Sequence, residues 1–189
     1  MLGQLLKKLR DSYAKWRHKS RYLAILNSLG TCGSNLYFDD VSSVVFNNPK
    51  NLHFGSEVGF NVHVFIHGMG GVQIGDNSRF GPFVVIHSGD HRIDDVSQPI
   101  RTSGHKTQEI IIGKDVWVGA HAVILRGSVI PDHCVIGAGA VVDRHLRLNP
   151  YDIVRGNPAE VVGNRLHKHG NITGSEENQK DRSRINQMN

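Results

Sequence analysis

The stretch IIIGKDVWVGAHAVILRGSVIPDHCVIGAGAVVDR, residues 110–144, decides the fold. Counted in sixes from Ile112 it stops at Val118, Ile124, Ile130, Ile136 and Val142, and every stop is Ile or Val. Two residues before the later stops stand Val116, Ala122, Ser128, Cys134 and Ala140, nearly all small. Side chains two apart on a strand share a face. Each unit is therefore a very short strand with one small and one large residue pointing inward. Glycine often follows the stop (Gly75, Gly81, Gly113, Gly119, Gly137) and suits a sharp corner. Three such flats make one triangular turn of about 18 residues, and turns stack at about 4.8 Å. The pattern predicts a parallel β-helix.

The beat extends upstream. Ile74, Phe80 and Ile86 continue it, and Phe46, Leu52, Val58 and Val64 keep it in another phase. An α/β sheet with buried strands would need helices of about 10–15 residues between strands, and no segment between the stops has room for one. The beat breaks twice. Gly68-Met69-Gly70-Gly71 shifts the phase, and residues 92–109 interrupt it fully. A structureless loop of that length inside a compact domain is usually functional or disordered.

Composition agrees with one soluble domain. The chain has 189 residues, 39% of them hydrophobic, which suffices for a single core and hardly for two. Its 21 glycines do not recur at every third position, so collagen is excluded. No apolar run approaches the roughly 20 residues that span a bilayer. Basic residues interrupt the apolar ones at the N-terminus, so no signal peptide is expected there. Cys32 and Cys134 make neither a disulfide framework nor a CxxC knuckle, which points to the cytoplasm.

The net charge of +5 permits an anionic partner without choosing one. It is uneven: residues 1–30 hold seven Lys/Arg and one acid, Asp11. Leu2, Leu5, Leu6, Leu9, Tyr13 and Trp16 fall on one helical face, so residues 1–30 read as a basic amphipathic arm. Such a face packs on its own coil, on another subunit, or on a membrane surface. The β-helix is expected over 31–165, and 166–189 reads as a polar, disordered tail. Basic residues are not interleaved with aromatics along the coil, so nucleic acid is not the expected partner.

The hexad of small-x-[Ile/Val]-Gly-x-x, with the string at 110–144 and RGNPAEVV at 155–162, resembles the hexapeptide-repeat acyltransferases. The likeness runs from about Leu52 to Arg165 and is nearest to maltose, galactoside and polysaccharide O-acetyltransferases. It implies an all-β, left-handed parallel β-helix, a homotrimer, acetyl-CoA as co-substrate, no metal, and a saccharide hydroxyl as acceptor. An acyl group longer than acetyl is also compatible.

Phase makes His91 a candidate before the likeness does. Counted from Ile74, it falls one residue before a stop and should face outward; Trp117, counted from Ile112, has the same phase. An outward tryptophan wants a ligand or another subunit. The resemblance implies that His91, at the start of the protruding loop, is the catalytic base. Imidazole is suited to taking a hydroxyl proton at neutral pH. On the same footing, Asn61 matches an acceptor-contacting asparagine, although a corner asparagine also makes turns. Trp117, Gly119, Ala120 and Ala138 match the coenzyme A channel, where small corners alone would also explain the residue types. Arg144 matches a basic residue near the coenzyme's phosphates, and Arg165 is a second candidate; solvated surface charge is the plain alternative for both.

The chain departs from the pattern in places. Asp90 stands where threonine usually precedes the histidine; a carboxylate there would orient an imidazole, although hexad phase points it inward. Asp143 replaces the threonine before the basic residue, Glu160 replaces an arginine, and Leu146–Pro150 looks two residues longer. These changes touch the adenosine end more than the reaction. Two other classes remain open. A γ-type carbonic anhydrase would need zinc on histidines shared between subunits, with His63, His87 and His91 as outward candidates, but the paired-histidine segment is missing from GAHAVILRG. A non-catalytic scaffold would not need His91 and Trp117. Residues 1–45 leave no room for a nucleotide-binding or large helical domain, which favours O-acetylation of a saccharide, in a setting of polysaccharide assembly with peripheral membrane contact.

Overall fold

The computed structural model describes residues 2–166, so the expected tail falls almost wholly outside the described residues. The chain is a parallel β-helix with three flat faces. The first face stacks Thr31–Cys32, Leu52–Phe54, Val72–Ile74, Ile110–Ile112 and Val129–Ile130. The second stacks Tyr37–Phe38, Gly59–Phe60, Arg79–Phe80, Trp117–Val118, Val135–Ile136 and Asp152–Arg155, and ends in an antiparallel strand, Glu160–Asn164. The third stacks Val45–Asn47, Phe65–His67, Val85–His87, Val123–Leu125 and Val141–Val142.

The inward residues come in pairs two apart. Val116/Val118, Ala122/Ile124, Cys134/Ile136 and Ala140/Val142 are buried as the hexads require. Upstream the inward pairs are Leu52/Phe54, Val58/Phe60 and Val64/Ile66. The upstream beat in Leu52, Val58 and Val64 thus falls on the first member of each pair, not the second. Both members are large there, so periodicity alone could not tell them apart. Register explains why large pairs fit. Thr31 pairs with His53 and Tyr37 with Gly59, whereas Ile112 pairs with Ile130 and Val118 with Ile136. Early turns are longer than late ones. They enclose Phe54, Phe60 and Phe80, with Phe60 and Phe80 stacked at 5.3 Å. The late turns enclose Ile, Val, Ala and Cys134, whose thiol burial pushes up to about 11.

Corners carry the geometry. Asn77, Asp115, His133 and Tyr151 line one edge with φ of 63, 51, 66 and 70°; His63, Phe83, His121 and Gly139 line another with φ of 58, 59, 58 and 69°. Left-handed backbone costs an L-residue about 1–2 kcal/mol, and Asn, Asp, His and Gly tolerate it best. Each corner amide reaches back one turn: Asp115 to the Asp76 carbonyl, His133 to Lys114, His121 to Pro82 and Gly139 to Ala120, at 2.8–3.0 Å. Three histidines, His63, His121 and His133, are therefore corner residues.

Residues 92–109 do not form a structureless loop. Gly89–His91 pairs antiparallel with His105–Thr107, and the Gln108 amide returns to the Ser88 carbonyl at 3.0 Å. Hexad counting stops at Ser88, and this corrects Asp90. It does not point inward: the chain has left the coil, and the carboxylate is half-exposed.

The N-terminal helix, Leu2–Ser28, closes the wide end. Only its last turns pack: Ile25 and Leu26, with Leu29 just past the helix, lie against the core, the Tyr22 ring meets Phe38 edge-on, and the Arg21 guanidinium donates to the Val41 carbonyl.

Outward on the third face, His67 and His87 stack with centroids 4.5 Å apart, and the Nδ1 atoms of both are buried with no hydrogen-bond partner among the described residues. Burial first, then the neighbouring His87 and His105, pulls the His67 imidazole below the usual histidine range. The folded chain therefore takes this proton later than the unfolded chain, and stability should fall as pH drops through about 6.5. The melting temperature is expected to be lower at about pH 5.5 than at about pH 7.5, with a smaller difference in His67→Gln. A second pair of variants tests corner packing. A Cβ on Gly75 would lie 2.7 Å from backbone atoms of Gly113 and Lys114, whereas a Cβ on Gly139 would meet nothing within 4 Å. Gly75→Ala is expected to cost about 1–3 kcal/mol by overpacking. Gly139→Ala should cost about 1 kcal/mol, from its φ alone. Denaturant midpoints of the two variants give the comparison.

Candidate active site

Strand alternation sets the second face. Val118 points inward and is fully buried, so Trp117 points outward and is 58% exposed. In register beside it lie Arg79 on one side and Val135 on the other. The Arg79 guanidinium sits 5.3 Å from the Tyr37 ring centre and donates to the Glu57 carbonyl. The Tyr37 hydroxyl donates to Glu57 at 2.7 Å, which raises the phenol above its ordinary value. The Asn35 amide and then Tyr37 hold Glu57 below the usual carboxylate range. Together Tyr37, Asp39, Asn61, Arg79, Gly81 and Trp117 border a shallow depression of about 210 Å³. Asn61 thus shares a surface with Trp117. Its Oδ1 accepts the amide of the next residue, Val62, at 2.7 Å, and the left-handed corner residue is His63, two positions on.

The edge beside this depression carries small residues next to Trp117. Gly119, Ala120 and Ala138 lie along it, one turn apart, next to Trp117. A Cβ at Gly119 would lie 2.6 Å from the Ala138 amide nitrogen, so close stacking by itself requires glycine there. Along the same edge, Phe83 is sandwiched between His63 and His121, each ring 4.8 Å away.

The other expected residues are dispersed. Asp143 and Arg144 follow the last strand of the third face. Asp143 accepts the His145 amide at 2.8 Å, and Arg144 is exposed. Arg165 lies on the opposite edge of the second face. Its guanidinium pairs with Asp115 at 3.1 Å and donates to the His133 carbonyl at 2.7 Å. The His133 ring is 3.0 Å from Asp115, and this contact, more than Arg165, holds that carboxyl below its usual range.

His91 is exposed on the hairpin that leaves the third face, with its ring 4.6 Å from that of His105. Asp90 is held by Arg126, Nε to Oδ2 at 2.6 Å, and lies 4.0 Å from His87. Farther out, Arg92, backbone and Lys106 hold Asp94 down to about 2, which fastens the hairpin's base. Its tip exposes Ile93, Val96 and Ile100. Within one chain, His91 and Trp117 stand on different faces. The rival zinc candidates are also apart: His63 is on a corner, His87 on the third face and His91 on the hairpin. Among the described residues no group of three or more His, Cys, Asp or Glu is placed to share a metal ion.

Sequence reading missed Tyr37, Arg79 and Arg126. Arg79 falls one residue before the stop at Phe80, as Trp117 does before Val118, so its outward phase was a signal the sequence carried. Arg126 carried no signal, because its role arises from the hairpin's path.

Residues 109–144 match the family described as bacterial transferase hexapeptide, six repeats. The galactoside O-acetyltransferase of Escherichia coli K12 is 31% identical over 145 residues, covering 76% of this chain and 68% of that protein. A probable acetyltransferase of Mycobacterium tuberculosis is 36% identical over 115 residues; there the match spans only 38% of the relative's length. Among solved structures, a maltose O-acetyltransferase from Clostridium difficile 630 superposes with a TM-score of 0.70 at 26% identity, over 78% of this chain and 75% of that one. A galactoside acetyltransferase in complex with coenzyme A superposes at 0.58 and 28% identity, over 82% and 76%. The stacked hexads and this breadth of likeness agree: the repeats form a left-handed coil, and the chain belongs to the hexapeptide-repeat acyltransferase family.

Proposed function

We propose that this protein is an acetyl-CoA-dependent O-acetyltransferase acting on a saccharide hydroxyl, working as a homotrimer with 31–165 as the catalytic unit. One observation carries the reading. Each chain presents two half-sites on different faces: an exposed histidine at the base of a hairpin, and an exposed tryptophan beside an edge of glycine and alanine. A second copy brings His91 of one chain opposite Trp117 of the next. The coenzyme-bound galactoside enzyme among the similar structures supports the donor. The galactoside and maltose relatives support the acceptor class.

The chemistry follows from the residues. The arm of the coenzyme lies along Gly119, Ala120 and Ala138, whose side chains are small, with the Trp117 ring beside it. Arg144 and Arg165 are the basic residues offered to its phosphates; Arg165 must then bind them while paired with Asp115. Asp143, by fixing the turn at His145, positions Arg144. Asn61 and the hairpin at 92–109 shape the acceptor pocket. Asp90 contributes by anchoring the start of the hairpin on Arg126. The His91 imidazole takes the acceptor hydroxyl's proton as the oxygen attacks the thioester carbonyl carbon. The tetrahedral oxyanion collapses, the carbon–sulfur bond breaks, and the departing thiolate takes the proton back. General-base help of this kind contributes about 10²–10⁴-fold. We place this activity in the cytoplasm, in polysaccharide assembly, on the strength of the resemblance.

Thiol release from acetyl-CoA, measured across a panel of sugars, tests the reading; no release with any sugar would overturn it. His91→Ala should lower kcat by about 10²–10⁴-fold with acetyl-CoA binding retained. Trp117→Ala should instead raise the KM for acetyl-CoA. Light scattering should give the mass of three chains. A single-chain mass in a fully active sample would refute the shared site.

A further inference from the structure

We propose that the N-terminal helix is a surface anchor for an anionic lipid bilayer, lying in the interface with Leu6, Leu9 and Trp16 immersed. The inference stands on the helix alone, independently of the acyltransfer site. All side chains from Leu6 to Ser20 are exposed, although the helix is continuous to Ser28. The helix does not turn its apolar side to its own coil. The side facing the first turn of the coil carries Arg10, Ala14, Arg17, His18 and Arg21, with Tyr13 at its margin, and borders a groove with Asp40, Val41 and Ser42. The apolar stripe is left outward: Leu9 is 59% and Trp16 63% exposed, and Tyr13 and Trp16 stack at 5.9 Å. Packing on the coil, one of the uses the amphipathic pattern allows, is therefore not what this face does.

Charge selects the occupant. Residues 4–20 hold six Lys/Arg and a single acid, Asp11, whose carboxylate lies 3.6 Å from Arg10. At 100° per residue, Arg10 and Arg17 border one side of the stripe, and Lys8, Lys15 and Lys19 border the other. Basic side chains flanking an apolar face let their stems lie on lipid while their heads meet anionic headgroups. Tyrosine and tryptophan favour the same depth. A second copy of the helix would bring like-charged rows together. Among the described residues no helix is long and apolar enough to cross a membrane, so the helix lies on the bilayer and does not span it.

The test is co-sedimentation of the full chain with vesicles of phosphatidylcholine alone and with about 30% phosphatidylglycerol. At least about tenfold more protein should pellet with the anionic vesicles, less at high salt. Leu9→Glu/Trp16→Glu should abolish pelleting, and the milder Leu9→Gln/Trp16→Gln should weaken it. Lys8→Gln/Lys15→Gln/Lys19→Gln should remove the lipid preference. Acetyl transfer to a soluble sugar should be unchanged in all three, which keeps this result separate from the fate of the catalytic reading. Equal pelleting with both vesicles, or none, overturns the anchor. So does a fall in native mass in Leu9→Glu/Trp16→Glu without vesicles, which would assign the stripe to a second copy.

Discussion

Corner amides hold this fold in register. Two edges of the coil repeat a left-handed residue from turn to turn, and nearly all of these residues point their N–H back to a carbonyl one turn earlier. These bonds carry the parallel ladders around bends where a sheet would otherwise end with unpaired groups. The conformational cost at each corner is of the same order as the net value of the bond it permits. Residue choice therefore matters, and Asn, Asp, His and Gly are the residues for which the cost is lowest. Inward packing then follows, because a fixed corner fixes which two residues of each flat face the core.

That hierarchy explains what could be read from the sequence. The late turns were fully legible: Ile112 through Val142 keep a strict six, and their small partners mark the direction of the core. The early turns were legible as coil but not in phase, since Val58 and Phe60 are both large and both inside. Corners left their own signal in the spacing of Asp115, His133 and Tyr151, eighteen apart, which hydrophobic periodicity ignores. Asp90 was misread because phase was carried past Ser88, where the chain departs from the coil.

The candidate site was legible in its parts and less so in its arrangement. Trp117 and Asn61 share a depression, as a common ligand surface would require. Gly119, Ala120 and Ala138 do form a smooth edge, yet close stacking already demands that smoothness. Arg165 is engaged by Asp115 and His133, a partnership that no linear pattern announces because it joins residues from three turns. Contacts made across turns are invisible until register is known, and Arg79 and Arg126 belong to the same class.

The hairpin has one more consequence. Its two ends meet at the Ser88–Gln108 hydrogen bond, so the coil closes beneath it as though the intervening residues were absent. Loop-closure entropy grows only with the logarithm of length. Such a junction tolerates replacement of everything between its ends without disturbing the prism below. The segment beside His91 is thereby free to diversify while the scaffold stays constant.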